Sequence, residues 1–165
     1  MSAAMKIFAF VGDSGTGKTR LIAALVPELR RRGISVSVIK HCAHGFDLGS
    51  EDKDSSRFLR AGAEGVAVVA PGRWAVVKKA GRSLRVSDFA REHFPEAEVV
   101  LVEGGRKEKN LKKIEVLRRG FSEKTKSPDR ELIAVVADFE AVGKVPIFRP
   151  SEVGPIADRL VGGPR

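Results

Sequence analysis

The chain has a single cysteine, Cys42, so an internal disulfide framework is excluded, as expected of a protein that works in a reducing compartment. Long apolar runs are missing too. None approaches the roughly 20 residues of a membrane span, and Met1-Ser2-Ala3-Ala4-Met5-Lys6 lacks the apolar centre of a signal peptide. A soluble cytoplasmic protein without membrane contact is the expectation. Aromatic residues are only 6% of the chain against 42% hydrophobic residues overall, which predicts a real but aliphatic core. With 165 residues, one domain spanning 1–165 is expected.

Acidic residues are outnumbered. The net charge is +9, with much of the excess in Arg30-Arg31-Arg32, in the stretch 106–113 and in Arg118-Arg119. Aromatic side chains that would stack bases are not interleaved with these runs. No helix-turn-helix, zinc-finger or ribonucleoprotein motif is present, so nucleic acid is not the expected partner. Anionic small substrates or an acidic protein account for the charge equally well. The triple arginine falls at the end of a predicted helix, where cations favour the negative helix end and usually form a solvated face.

What the chain does contain is Gly12-Asp13-Ser14-Gly15-Thr16-Gly17-Lys18-Thr19, a match to the phosphate-binding P-loop G-x-x-x-x-G-K-[ST]. Both flanks suit it. Ile7 to Val11 reads as a buried strand, and Leu21, Ile22, Leu25, Val26 and Leu29 recur on one helical face. Glycines let successive N–H groups point at phosphate oxygens, and the following helix adds its positive end. Lys18 is expected to reach the β- and γ-phosphates and the Thr19 hydroxyl to ligate Mg²⁺. The chain is therefore expected to bind a nucleoside triphosphate.

Strands and helices alternate downstream. Ser35 to Ile39 reads as a strand, Asp52 to Ala61 as a short polar helix, and Gly65–Ala70 with Trp74–Lys78 as a hairpin turned by Pro71-Gly72. Ser87 is a predicted N-cap for a helix through Phe94, stopped by Pro95. Val99–Val102, Leu111–Leu117 and Leu132–Ala137 read as strands, then Val145–Phe148 and a helix from about Pro155 to Val161. The pattern predicts an α/β, three-layer P-loop fold: a mostly parallel sheet, helices on both faces and a β-hairpin. The polar stretches 105–110 and 119–130 read as the mobile loops.

A P-loop protein needs a second acid for the metal region. Glu103 follows the apolar run Val99–Val102 at the carboxyl end of a predicted strand, where α/β folds bind ligands; the alternative is an ordinary strand-end acid facing water. The segment from Lys40-His41-Cys42-Ala43-His44 to Phe46-Asp47, with Lys53-Asp54-Ser55-Ser56-Arg57, is expected over the same sheet edge. His41, Cys42 and His44 invite Zn²⁺ or Ni²⁺, yet no fourth ligand lies nearby, and a polar loop bonded to phosphate or substrate is the preferred reading. Asp47 and Asp54 would position water or metal, and Lys40, Lys53 and Arg57 would meet phosphate. The alternative for all of them is a solvated capping region.

These motifs occur in an order that resembles the MobB family, molybdopterin-guanine dinucleotide biosynthesis protein B. The resemblance rests on the P-loop, Lys40-His41-x-x-His44-x-Phe46-Asp47, Lys53-Asp54-Ser55-x-Arg57, Ala61-Gly62-Ala63, Val102-Glu103-Gly104 and Lys113-Ile114-Glu115-Val116. It runs from about Lys6 to Asp138. It implies a P-loop GTP-binding protein with weak GTPase activity, usually homodimeric, similar to the GTPases that insert nickel into hydrogenase and urease. It further implies an accessory role to the guanylyltransferase MobA, which joins GMP from GTP to molybdopterin. Carried over, Gly12 to Thr19 would hold GTP and Mg²⁺, Glu103 would serve the metal region, and Lys18, Asp47 and Glu103 would be the catalytic group. The chain departs from the family pattern at Arg20, Gly49, Asp52, Gly105 and Lys112, none of them a phosphate ligand.

Guanine preference is not written in the residues. Asn110, the single asparagine, does not fit Asn-Lys-x-Asp, and Thr125 to Asp129 is one residue too long for the Thr-Lys-x-Asp variant. Asp138, closing a predicted strand, is the candidate acceptor for guanine N1 and N2. Two other functions fit the same loop: a small P-loop kinase, and a nickel-insertion GTPase using His41, Cys42 and His44. The Gly65–Lys78 hairpin is a candidate dimer interface through Trp74, Val76 and Val77, with intramolecular core as the alternative.

Overall fold

The structure is a computed structural model that describes residues 4–42, 45, 54–78 and 84–162. Two compact units make up the chain, Met1–Cys42 with Arg85–Arg165, and Ala43–Leu84.

In the first unit, valine- and isoleucine-rich runs form strands, the central four buried and the two edge strands half-buried or exposed. These are β1 (Lys6–Val11), β2 (Val36–Lys40), β5 (Val99–Glu103), β6 (Lys112–Leu117), β7 (Leu132–Ala137) and β8 (Ile147–Phe148). They lie in the order β2-β5-β1-β6-β7-β8, and every pairing is parallel. Side chains alternate along β1: Phe8 and Phe10 join one core, Ala9 and Val11 another. Helices α1 (Lys18–Arg31) and α4 (Val153–Val161) cover the phenylalanine face with Leu21, Leu25, Leu29, Ile156 and Leu160. Helix α3 (Val86–His93) covers the other with Val86 and Ala90. The three-layer α/β arrangement read from the sequence is the one observed. Leu25 and Leu29 are wholly buried, each contributing about 1.5–3 kcal/mol of hydrophobic burial.

Three local expectations are corrected. Arg85, not Ser87, holds the N-cap position of α3, because buried Val86 draws the first turn back onto the sheet. Helix α4 begins at Val153, so Pro155 sits inside its first turn, where its missing N–H has no intrahelical partner to lose. The triple arginine is not simply a solvated face. Arg32 reaches Glu28 Oε1 at 2.8 Å, Asp158 Oδ1 at 2.6 Å and the Gly154 carbonyl at 3.1 Å, which ties α1 to α4.

The second unit contains α2 (Asp54–Arg60) and the antiparallel hairpin β3 (Gly65–Ala70) with β4 (Arg73–Lys78). In its register Val69 faces Trp74 and Ala67 faces Val76, while Val66 faces Val77 and Val68 faces Ala75. Opposed residues share a face, so Val77 lies on the side away from Trp74 and Val76. Val69 and Trp74 are 77% and 74% exposed, which makes their face an open apolar strip rather than core. Among the described residues no helix is long and apolar enough to cross a membrane.

Candidate nucleotide site

Because β1 is central, the loop after it emerges between the carboxyl ends of β5 and β6. Gly12 follows Val11 at φ 154°, and a β-carbon there would stand 2.4 Å from the Val116 carbonyl oxygen, so only glycine lets the loop leave β1 beside β6. Gly17 is the N-cap of α1 in left-handed conformation (φ 96°), with no side chain capping the helix and no acid in its first turn. The amino end of α1 is thus open to an outside anion. Lys18 lies back across the loop, donating from Nζ to the carbonyls of Gly12 (3.1 Å) and Asp13 (2.7 Å). Burial holds its ammonium below the usual lysine value, with the Glu103 charge pulling the other way. Thr16 Oγ1 closes the loop onto the Asp13 carbonyl at 3.0 Å, while Ser14 and Gly15 are exposed.

Glu103 stands opposite Phe10 on one side and Lys40 on the other. Its Oε1 accepts from Thr19 Oγ1 at 2.7 Å. A hydroxyl and a carboxylate oxygen at the mouth of a phosphate loop are hard donors of the kind Mg²⁺ takes. Arg118 Nη1 donates to the Gly15 carbonyl at 2.9 Å and stacks 4.7 Å over the Phe121 ring, which in turn covers Gly15.

Beside the loop lies a cleft of 810 Å³. Thr16, Gly17 and Arg20 line one wall, Leu117 and Arg118 the end of β6, and Asp138 the end of β7, with Arg149 and Ser151 opposite. Asp138 Oδ1 is held by the Arg119 N–H at 2.9 Å. The cleft is large enough for a nucleoside.

The residues foreseen as the site divide accordingly. Gly12, Asp13, Ser14, Gly15, Thr16, Gly17, Lys18, Thr19 and Glu103 converge on one edge of the sheet, with Asp138 on the adjoining cleft. Arg57 lies in α2 of the second unit. Asp47, His44 and Lys53 are outside the described residues. His41 Nε2 stands 3.9 Å from Glu108, and Cys42 is half-exposed.

A charged network behind the loop was not foreseen. Glu115, fully buried on β6 opposite Val11, accepts from Arg106 Nη1 (3.2 Å), Lys126 N (3.0 Å) and Ser127 N (2.9 Å). Arg106 Nη2 and Lys126 Nζ continue to the Asp13 carboxylate at 3.3 and 2.6 Å. Lys113 Nζ, also buried, donates to the Arg106 carbonyl (2.8 Å) and Glu131 Oε2 (2.6 Å). The stretches 105–110 and 119–130, read as loose loops, are pinned here by side chains from β6. The signal was present: Lys113 and Glu115 are two charges at period 2 inside an apolar strand, which requires buried partners.

A parallel sheet with a glycine-rich loop, a lysine lying across it and an acid at the next strand end defines a P-loop nucleotide-binding protein. The chain matches the family model of MobB, molybdopterin guanine dinucleotide synthesis protein B, over residues 7–138, and belongs to that family. It is 33% identical over 141 residues to the molybdopterin-guanine dinucleotide biosynthesis adapter protein of Haemophilus influenzae, covering 84% of this chain and 78% of that one. It is likewise 33% identical over 160 residues to the adapter protein of Escherichia coli, covering 94% and 91%. The crystal structure of Bacillus subtilis MobB superposes with a TM-score of 0.73 at 25% identity, over 96% of this chain and 99% of that one.

The network has a pH signature. The Lys113 hydrogen bond holds the Glu131 carboxyl below its ordinary value, and the Lys126 hydrogen bond does the same for Asp13. Their contribution to stability is complete above the unfolded carboxylate value and is lost as pH falls through the lower folded values. Urea midpoints measured between about pH 5 and pH 3 are expected to drop in the wild type and to drop less steeply in Glu131→Gln. Parallel pH curves for the two proteins would separate Glu131 from acid sensitivity.

Proposed function

We propose that this chain binds GTP with Mg²⁺ at Gly12–Thr19 and Glu103, and acts as a slow GTPase adapter in molybdopterin guanine dinucleotide formation. The observation that carries this reading is the Thr19–Glu103 hydrogen bond beside an uncapped α1 and a Lys18 that rests on loop carbonyls. Phosphate oxygens replace those carbonyls as acceptors for Lys18, and main-chain N–H groups of the loop take up the rest. Thr19 and Glu103 would hold Mg²⁺, whose charge would offset that of the triphosphate. Fast hydrolysis needs a free cation at the γ-phosphate. Three cations beside the loop are already engaged, Arg106 by Asp13 and Glu115, Lys126 by Asp13 and Arg118 by the Gly15 carbonyl, which supports a basal turnover of about 10⁻⁴ to 10⁻³ per second.

Three further assignments follow from that reading. The nucleoside enters the cleft at Asp138, whose carboxylate accepts from guanine N1 and N2. The partner is a MobA-type guanylyltransferase, with molybdopterin as the acceptor of GMP. The chain pairs with a second copy through the Val69, Trp74 and Val76 face of the hairpin, a two-stranded unit that needs a covering surface.

Titration of GTP is expected to give binding about ten- to a hundredfold weaker in Lys18→Ala, the loss of charge-assisted bonds of about 1.5–3 kcal/mol. Equal affinity in parent and variant, or a guanylyltransferase whose rate ignores the chain, would overturn the reading. Asp138→Ala is expected to lose the preference for GTP over ATP while still binding triphosphate; a preference left intact removes Asp138 from base recognition. In light scattering, Trp74→Glu is expected to shift a dimer to monomer, and an unchanged mass would place the interface elsewhere.

A further inference from the structure

A second cleft, also of 810 Å³, opens at the opposite edge of the sheet, where β1, β6 and β7 begin. Its lining includes apolar residues from both faces of the sheet, Ile7 and Leu111 from the α3 side and Phe8, Ile133 and Leu160 from the α1 and α4 side. Its walls are cationic. Lys6 comes from β1, Lys112 from β6 and Arg159 from α4. Arg85 and Arg91 come from the amino end and body of α3, and Lys107 and Lys109 from the connection into β6. Against these seven cations stands one carboxylate, Glu108.

Four observations separate this cleft from an ordinary solvated basic face. Of the seven, only Arg91 has a carboxylate within 4 Å among the described residues, Asp88 at 3.7 Å. Two of the cations are fixed in place by the chain itself: Lys6 Nζ donates to the Val161 carbonyl at 3.3 Å and Arg159 Nε to the Ile133 carbonyl at 3.0 Å. The walls include Asn110, the only non-glycine residue with positive φ (66°) among those described, so the connection bends sharply here. And one anion is already accommodated, since Glu108 Oε2 accepts from the Val86 N–H at the amino end of α3 at 3.4 Å. Like charges lining a concave, low-dielectric surface repel one another and focus a positive potential that an anion relieves.

We propose that this cleft is a binding site for a small phosphorylated molecule. The cations meet the phosphate. The volume lies within the range of small-ligand sites, about 300–1,000 Å³. It is not the nucleotide of the P-loop: the six residues of β1 put roughly 17 Å between the two edges. An acidic peptide would also be attracted to the charge, but a cleft of 810 Å³ has the size of a small-ligand site rather than of an extended docking surface.

Phenyl phosphate and inorganic pyrophosphate, followed by amide chemical shifts, test this. Phenyl phosphate is expected to shift Ile7, Leu111, Lys112 and Ile133 saturably. The double variant Lys109→Glu/Lys112→Glu is expected to weaken that binding at least tenfold while leaving pyrophosphate shifts at Gly15 and Lys18 unchanged. Should that pair disturb folding, Arg85→Glu/Arg91→Glu on α3 serves the same purpose. Shifts confined to the P-loop, a linear response without saturation, or charge-reversed variants that bind as the parent does would each overturn the proposal. So would a glutamate-rich peptide that shifts the same amides at lower concentration than phenyl phosphate, since the site would then be a protein-docking surface.

Discussion

The parallel pairing of β1 with β5 on one side and β6 on the other is the constraint from which the site follows. Parallel neighbours force every connection to cross back over the sheet, so the carboxyl ends of all three strands meet at one edge. A loop leaving β1 there has Glu103 of β5 to one side and Glu115 of β6 to the other. Antiparallel pairing of either neighbour would carry one of those carboxylates to the far edge. The apolar content of β1 and β5 is what enforces the arrangement, because strands buried on both faces are stable only inside such a sheet.

Glu115 and Lys113 show how the same sheet organises its α3 side beneath irregular connections. Ile114 and Val116 point into the core under α1 and α4, which leaves Lys113 and Glu115 on the α3 side, beneath the 104–110 and 121–131 connections. Irregular backbone cannot satisfy its own polar groups, and apolar side chains there would strand them. A buried carboxylate accepting main-chain N–H groups and a guanidinium, next to a buried ammonium with a carboxylate and a carbonyl, solves both problems at once. Such ions stabilise only when every partner is present, so the network specifies one geometry for the loops that flank the phosphate site.

Legibility in the sequence followed the range of the interactions involved. The P-loop, the strand before it and the helix after it are contiguous, and local pattern is enough for them. Glu103 was legible because strand ends in parallel sheets converge. What could not be read were pairings fixed by tertiary contact: Arg32 with Asp158, 126 residues away, or Glu115 with the main chain of Lys126, where an irregular connection folds back. Ser87 was misplaced by a local rule that the burial of Val86 overrode. Val77 was grouped with Trp74 by proximity in sequence, whereas the hairpin register alternates them across two faces.

The distribution of charge separates two tasks that net charge alone merges. Near the P-loop, Arg106 is matched by Asp13 and Glu115 and Lys126 by Asp13, while Lys18 and Arg118 donate to loop carbonyls beside the uncapped end of α1. There the positive charge coincides with main-chain N–H groups that can also bond, which favours a polyphosphate over a diffuse anion. At the other edge only Arg91 of the seven cations has a carboxylate partner among the described residues, and the positive charge is spread along the cleft. Both edges carry cations, yet only the loop edge sets its charge beside main-chain N–H groups of a helix start and a hydroxyl–carboxylate pair. That contrast is why the strongly basic chain is better read through its geometry than through its total charge.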